Sequence, residues 1–374
     1  MIADPIREGI ASGWKVIDAA TLDREATLET DVLVVGSGAG GGVTAEILAQ
    51  AGLAVVIVEE GPLRGSDDFR MREREAYPQL YQESAGRQTR DKAITILQGR
   101  CVGGSTTVNW TSSFRTPPRT LAHWSGAHGL GRCSEGELAP WFARMEERLS
   151  IAPWPVPPNE NNDILRRGCE RLGIPAAAIR RNVKGCWNLG YCGMGCPTNA
   201  KQSMLVTTLP AALARGAVLV QRGRLERLVA SGSRISHAEV RGVAGPGAQP
   251  GPARLTVRAR HVVLAAGAIG SPAVLLRSGL PSVALRVPDL ALARELLRRT
   301  GRPVAAPSAN PSGRISPTRA THVLDGLDGR IAAVLDGGPC PLGLESTIVG
   351  FDPAPRLLRP GGLPVEIIEA ALGK

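Results

Sequence analysis

Gly36, Gly38 and Gly41 stand in the spacing G-x-G-x-x-G, and Glu59 follows them along the chain. The first glycine of such a set allows a tight turn. The second lets backbone approach a pyrophosphate, and the third lets a helix pack close to a strand. A carboxylate roughly 20 residues further on accepts bonds from ribose hydroxyls. The chemistry these residues suit is adenine dinucleotide binding, and by themselves they leave open which dinucleotide. Small residues gather again at Gly103, Gly104, Ser105, Thr106 and Thr107, with Asn109 as a polar anchor. They would let backbone lie against a ligand. Gly267 and Gly270 allow a further close approach.

The groups that could move protons or bind metal are few. Five histidines are present, His123, His128, His237, His261 and His322, and a surface or satisfied core role is expected for each. Cys186, Cys192 and Cys196 cluster as C-x5-C-x3-C, which is not the C-x2-C pairing of zinc sites. A tightly turned loop beside a ligand is expected there, with reduced thiols and no metal.

The elements that must position these residues follow from the stretch Asp31 to Gly61. Val32 to Val35 suits a strand buried on both faces, the glycine turn follows, and a helix leads to a second apolar strand. The helix N-terminus would offer free N–H groups and a positive dipole end to phosphates. Residues before Asp31 read as a helical arm. Residues 62 to 95 are polar and charged, suiting surface helix or loop. Pro140 to Asn159 reads as a helix ended by a Pro-rich connector, and Thr207 to Gly232 as helix then strand. Val262 to Ala265 suits another buried strand, with Ser271-Pro272 starting a helix.

The 374-residue length suits two or three domains, and the 43% hydrophobic and 21% charged fractions are those of a soluble globular chain. No apolar run is long enough to span a bilayer, and the N-terminus lacks a signal-peptide pattern, so a cytoplasmic location is expected. The net charge of +10 comes without a Lys/Arg-rich block. Phosphate-bearing small molecules account for such a field, and direct nucleic-acid binding is not expected.

Three elements in order, GSGAGGG with Glu59, GRCVGGSTTVN and VVLAAGAIGSPAVLLRSG, resemble the glucose–methanol–choline (GMC) oxidoreductase family. The resemblance covers roughly residues 5 to 281. It implies FAD as cofactor and oxidation of CH–OH groups of a small-molecule alcohol. By resemblance, Gly36, Gly38, Gly41 and Glu59 hold the ADP half of FAD. Arg100, Gly103, Gly104, Ser105 and Asn109 would lie along the pyrophosphate and isoalloxazine, and Ala266 and Gly267 would approach the cofactor again. The family's catalytic histidine comes after the third motif, and none of the five histidines stands in that context. No catalytic residue is identified, and a truncated, catalytically impaired oxidoreductase is expected.

Residues 282 to 374 resemble instead the C-terminal half of the threonylcarbamoyl-AMP synthase (YrdC-like) family, through VALRVPD, APSANPSGRISPT, LDGGPCPLGLESTIV and RLLRPG. That resemblance implies ATP, L-threonine and bicarbonate as substrates, for tRNA modification. Ser308, Asn310 and Ser316 on a small-residue loop suit nucleotide oxygens. Arg286 offers a fork for the threonine carboxylate, Arg359 one for phosphate or adenylate, and Ser346 could contact the amino acid. The family's basic phosphate-binding region should precede VALRVPD and is not found in residues 200 to 281.

The expected fold class is α/β: a truncated Rossmann-like FAD-binding domain followed by a partial YrdC-like α/β domain. The expected organisation is an arm over 1–30, the FAD-binding domain over 31–281 and the synthase-like domain over 282–374. An oxidoreductase, a synthase and an inactive chimera are the three functional readings. A seam near Pro281 would leave sheet edges unpaired, predicting poor solubility.

Overall fold

The computed structural model describes residues 2–89, 92–128, 130–154, 156–231, 234–245 and 248–278. Beyond these it describes Glu295, Arg298, Arg299, 317–327, Ile331, Val334, 336–340, 348–350, 356–359 and Glu366. The chain divides into two compact units, Met1–Thr116 with Gly136–Ala284, and Pro117–Glu135 with Leu285–Lys374.

The first unit is built on strands β1 (Val16–Asp18), β2 (Ala26–Val35), β3 (Val55–Val58), β6 (Val218–Gln221), β7 (Gly223–Ser231), β8 (Arg234–Ala244) and β9 (Gln249–Leu264). A separate antiparallel pair, β4 (Ile151–Pro153) and β5 (Arg180–Asn182), stands apart from that sheet. The seven strands run in the order β1-β6-β3-β2-β9-β8-β7. From β1 to β9 neighbours are parallel, whereas β9, β8 and β7 form an antiparallel meander. Helices α1 (Pro5–Ala11), α2 (Ala39–Gln50), α3 (Glu73–Leu80), α4 (Ser105–Val108), α6 (Glu135–Arg148), α7 (Glu160–Arg171), α8 (Thr208–Leu213) and α9 (Gly267–Arg277) belong to this unit, and α5 (Pro118–His128) to the other.

Val32–Val35 and Val55–Val58 are buried throughout, as a strand covered on both faces requires. Alternate residues feed two cores. Val32, Val34, Val55 and Ile57 pack with Ala45 of α2 and Leu209 of α8 on one face. Leu33, Val35, Val56 and Val58 pack with Leu255, Val257 and Val274 of α9 on the other. Each such Leu or Val contributes about 1.5–3 kcal/mol through burial. The parallel register sets Val35 beside Val58 and Leu264, so β2, β3 and β9 end along one edge of the sheet. In open α/β sheets that edge, at the carboxyl ends of the strands, is where ligands sit.

The first thirty residues are not a helical arm. Helix occupies Pro5–Ala11, where Asp4 caps it by accepting from the Arg7 N–H at 3.2 Å and Pro5 needs no donor partner. Beyond it, Val16–Asp18 pairs in parallel with β6, and β2 begins at Ala26. The strand residues Val16 and Ile17 pull this segment into the sheet. The Asp18 carboxylate, gripped by both arms of Arg222, holds it there.

Two other expectations shift. Val262–Leu264 is the half-buried end of the sixteen-residue strand β9, and Ala265 follows it. Helix α9 starts at Gly267, ahead of Ser271-Pro272, so Pro272 lies inside it. The start moves because the Ser271 hydroxyl accepts from the Ala266 N–H at 3.1 Å and caps the turn from within.

Among the described residues of the second unit, a helix spans Ala320–Leu327 and strands β10 (Ile348–Gly350) and β11 (Arg356–Arg359) pair antiparallel. The seam near Pro281 lies outside the described residues.

Candidate cofactor site

At the carboxyl edge of the first unit's sheet lies a cavity of about 630 Å³, within the range of small-molecule sites. Three strand ends build it. Where β2 stops, Gly36 turns with φ +96, a conformation costly for any side chain. Its N–H donates to the Val58 carbonyl at 2.8 Å, and a Cβ there would lie 2.5 Å from the Ala265 carbonyl oxygen. Helix α2 starts directly after, with Gly38 as an N-cap that supplies no side-chain bond. Its first N–H groups are therefore free to meet an anion. Gly38, Ala39 and Gly40 line the cavity. Gly41 does not; a Cβ there would overlap the Gly36 carbonyl oxygen, so its role is the close helix–strand packing expected of it.

The second small-residue segment backs this turn. Gly104, at φ +55, comes so near that a Cβ on it would sit 2.8 Å from the Gly38 Cα. Gly104, Ser105 and Thr106 form one wall of the cavity, and Ala265, Ala266 and Gly267 form another.

Glu59 directly follows β3 and is buried. One carboxylate oxygen accepts from the Ser37 N–H at 3.0 Å and hydroxyl at 2.7 Å; the other accepts from the Gly61 N–H at 2.9 Å. Burial pushes its carboxyl above the usual range, against the pull of these three bonds. A carboxylate has about four acceptor positions, so one remains for a ligand hydroxyl. The Ser37 hydroxyl also accepts from the Gly103 N–H at 2.9 Å. Glu59 thus ties the glycine turn to the second motif, a task the ribose reading did not include.

Of the eleven residues read from the sequence as holding the cofactor, Gly36, Gly38, Glu59, Gly104, Ser105, Ala266 and Gly267 line the cavity, and Gly41, Arg100, Gly103 and Asn109 do not. Arg100 is buried at 4% exposure, donates to the Gly245 carbonyl at 3.3 Å and leaves its Nε without a partner. Burial pushes its guanidinium down, offset in part by Glu60. Gly103 lies behind the wall, where a Cβ would overlap the Thr107 hydroxyl. Asn109 follows the single turn of α4 in extended backbone, so its exposed amide turns back to accept from the Thr111 N–H at 3.2 Å.

The cavity adds residues that no motif indicated. Glu60 accepts from Arg224 at 3.1 Å, and the Arg87 guanidinium donates to Gln98 at 2.7 Å. Arg277 is held by the carbonyls of Glu226 and Leu225, both at 3.1 Å. The doubled acid in VEEG was a signal for Glu60. Arg277 stood near the end of the third motif without a role of its own, and Arg224 had no signal, because β7 reaches the site only through the sheet. Among the described residues no histidine lines the cavity.

The cysteine cluster does not converge. Cys186 accepts from the Asn188 N–H, Cys192 from the Arg181 guanidinium at 3.6 Å, and Cys196 faces the Thr198 hydroxyl. Among the described residues no group of three or more His, Cys, Asp or Glu side chains is placed to hold a metal ion, and no helix is long and apolar enough to cross a membrane.

The family described as GMC oxidoreductase matches residues 33–287, more than half of the chain. The chain belongs to the GMC oxidoreductase family. It is 35% identical over 276 residues to an uncharacterized GMC-type oxidoreductase of Mycobacterium tuberculosis, covering 70% of this chain and 43% of that protein. It is 31% identical over 281 residues to the long-chain-alcohol oxidase FAO1 of Arabidopsis thaliana, covering 72% and 36%. The chain thus spans less than half the length of these relatives. The family described as Telomere recombination (Sua5/YrdC-like) matches residues 248–361. A threonylcarbamoyl-AMP synthase of Bacillus subtilis is 56% identical over 97 residues, covering 26% of this chain and 28% of that protein.

The two family matches share residues 248–287. Of these, β9 is paired with β2 from Ala26↔Leu255 to Val35↔Leu264, and α9 packs Val274 onto the same sheet. Arg286, Ser308, Asn310, Ser316 and Ser346 lie outside the described residues. Arg359 ends β11 opposite Ile348.

GMC membership implies FAD. The chain's own geometry fits that group: a cradle in which Cβ atoms at Gly36 and Gly104 would meet backbone, free helix N–H groups, and a carboxylate with one acceptor position to spare.

Proposed function

We propose that residues 31–281 bind FAD and form the cofactor-carrying part of an oxidoreductase acting on CH–OH groups of alcohols. The observation that carries this reading is the meeting of three strand ends, at Gly36, Glu59 and Ala265, around one glycine-lined cavity. Gly36, Gly38 and the α2 N-terminus would take the diphosphate, and Glu59 a ribose hydroxyl. Gly104, Ser105, Ala266 and Gly267 would flank the rest of the group. FAD bound there supplies an acceptor for the hydride of an alcohol C–H. The chain's residues bind and orient, and they are short of one function. Among the described residues no histidine lines the cavity, and its carboxylates already hold partners, Glu59 with Ser37 and Gly61, Glu60 with Arg224 and Glu226 with Arg241, so none stands out as a general base for the hydroxyl proton. We therefore expect an impaired oxidoreductase. Purified protein incubated with FAD and freed of excess should carry about one flavin per chain by absorbance. A long-chain alcohol, the substrate named for the Arabidopsis relative, should bleach it slowly without air. Colourless protein would overturn the reading.

The 56% identity over the C-terminal 97 residues favours a second reading, an L-threonylcarbamoyladenylate synthase domain over 282–374 using ATP, L-threonine and bicarbonate. Arg286, Ser308, Asn310, Ser316, Ser346 and Arg359 are the residues offered for it. Because β9 and α9 are committed to the first sheet, this domain is short of the segment it shares with that unit. Pyrophosphate release that requires both threonine and bicarbonate would support it. Protein that neither retains flavin nor releases pyrophosphate would be an inactive chimera of two partial domains.

A further inference from the structure

Lys201 is buried at 2% exposure in the first unit, within the segment CPTNAK. Its ammonium donates to three backbone carbonyls: Thr107 at 2.8 Å, Asn109 at 2.7 Å and Cys192 at 2.7 Å. All three donors of the ammonium are thereby used. Two of the acceptors belong to the C-terminal end of α4, where carbonyls have no helical partner and the dipole favours a cation. The third belongs to the cysteine loop, so one side chain joins two loops that neither sheet nor helix connects.

Helix α4 is a single turn, Ser105–Val108. A helix so short has no independent stability, and whatever holds its ends sets its orientation. Its front end, Gly104 to Thr106, is a wall of the cavity. Its back is held by the segment that starts at Lys201. The Met204 N–H donates to the Thr106 hydroxyl at 3.1 Å, which in turn donates to the Gly103 carbonyl at 2.6 Å. That segment is itself anchored, with Lys201 bridged to Val183 and the Lys184 N–H bonded to the Ala200 carbonyl at 2.8 Å.

We propose that Lys201 is a positioning residue for the cofactor site: by holding the Thr107 and Asn109 carbonyls to the cysteine loop, it fixes the Gly104–Thr106 wall in the place where it can meet FAD. The proposal rests on the FAD reading above. Burial pushes the Lys201 ammonium down to about 8, with Cys192, Cys196 and Cys101 opposing that fall and Arg181 adding to it. A buried cation held at that cost, with carbonyl partners only, is consistent with a clamp rather than a surface charge.

The test titrates FAD into the full-length chain, its Lys201→Met variant and its Lys201→Arg variant, following flavin fluorescence and visible circular dichroism. Amide hydrogen exchange is read on the same samples without FAD. Lys201→Met is expected to bind FAD at least tenfold more weakly and to exchange faster over 104–109, with Val32–Val35 unchanged. Lys201→Arg, which keeps a cation, should recover part of the affinity and of the flavin dichroism. Lys201→Met binding within twofold of the parent, or acceleration spread equally to Val32–Val35, would overturn the proposal. If Lys201→Met does not fold, Lys201→Arg decides alone: parental exchange and affinity support the clamp, and disorder spread beyond 104–109 refutes it. If the parent itself fails to bind FAD, the FAD reading falls, and exchange over 104–109 still decides whether Lys201 holds α4.

Discussion

Two neighbouring parallel strands, β2 and β9, both run into a glycine-bearing turn and a helix at the same cavity, and the two turns are built differently. After β2, Gly36 and Gly41 let α2 start at once, and its first N–H groups stay open. Beneath that turn sits the buried carboxyl of Glu59. After β9, the Ala266 N–H is taken instead by the Ser271 hydroxyl from within α9. The first turn is made to receive an anion. The second is pinned to its own helix by one hydroxyl, and Ala265, Ala266 and Gly267 line the cavity. The same strand–turn–helix unit is thus tied in two ways, one turn to a buried carboxylate from a neighbouring strand and the other to a hydroxyl of its own helix.

This contrast can be broken by substitution. Gly41→Ala forces a Cβ into the Gly36 carbonyl oxygen, where only backbone can yield. A loss of about 3 kcal/mol or more is expected in chemical denaturation, with loss of flavin binding. The matching change in the other turn, Gly270→Ala, meets the Ala266 Cβ at 3.0 Å inside a helix, and a change within about 1 kcal/mol is expected. Equal losses would show that the two turns are packed alike.

Glu59→Gln sharpens the electrostatic side. Its amide group would face either the Gly61 or the Ser37 N–H donor to donor, at a cost of about 1–3 kcal/mol. The pH dependence has a defined sign. Because the folded value of Glu59 is raised above 4.5, its contribution is fully present below about pH 4.5 and is lost as pH rises through the folded value. The stability gap between parent and Glu59→Gln should therefore shrink as pH rises through that window in denaturant titrations. A gap that widens would place Glu59 in a solvated, charge-stabilising setting.

The smallest expected effect lies in the second turn. Ser271→Ala removes the bond to the Ala266 N–H and should cost about 1 kcal/mol by thermal melting. FAD affinity should change less than twofold, since the glycine turn tied to the buried Glu59 belongs to β2 and α2. A large loss of affinity would make the second turn an anion site as well.

The first turn was legible in the sequence almost residue by residue, because each of its glycines answers a local steric demand: the positive φ at Gly36 and the missing Cβ at Gly41. The buried strands were legible for a similar reason, since continuous valine runs suit few other places. Arg100 and Asn109 stand off the cavity lining, because spacing along a chain does not tell which side chains of a segment face a ligand. Ser37 stood in plain view between two glycines. Its part depends on Glu59 and Gly103 arriving from other segments.

Residue types and order alone determined the β2–α2–β3 unit, its glycine turn and the presence of motifs from two families. Those depend on backbone sterics and on periodic burial, which act over a few residues. The tertiary structure decided which of the expected residues reach the cavity, brought Arg224 and Arg277 to it, and buried Lys201 behind α4. It also assigned β9 and α9, matched by both families, to the first sheet. A strand can complete its ladder with only one pair of neighbours, and which neighbours it finds is settled by the packing of the whole sheet.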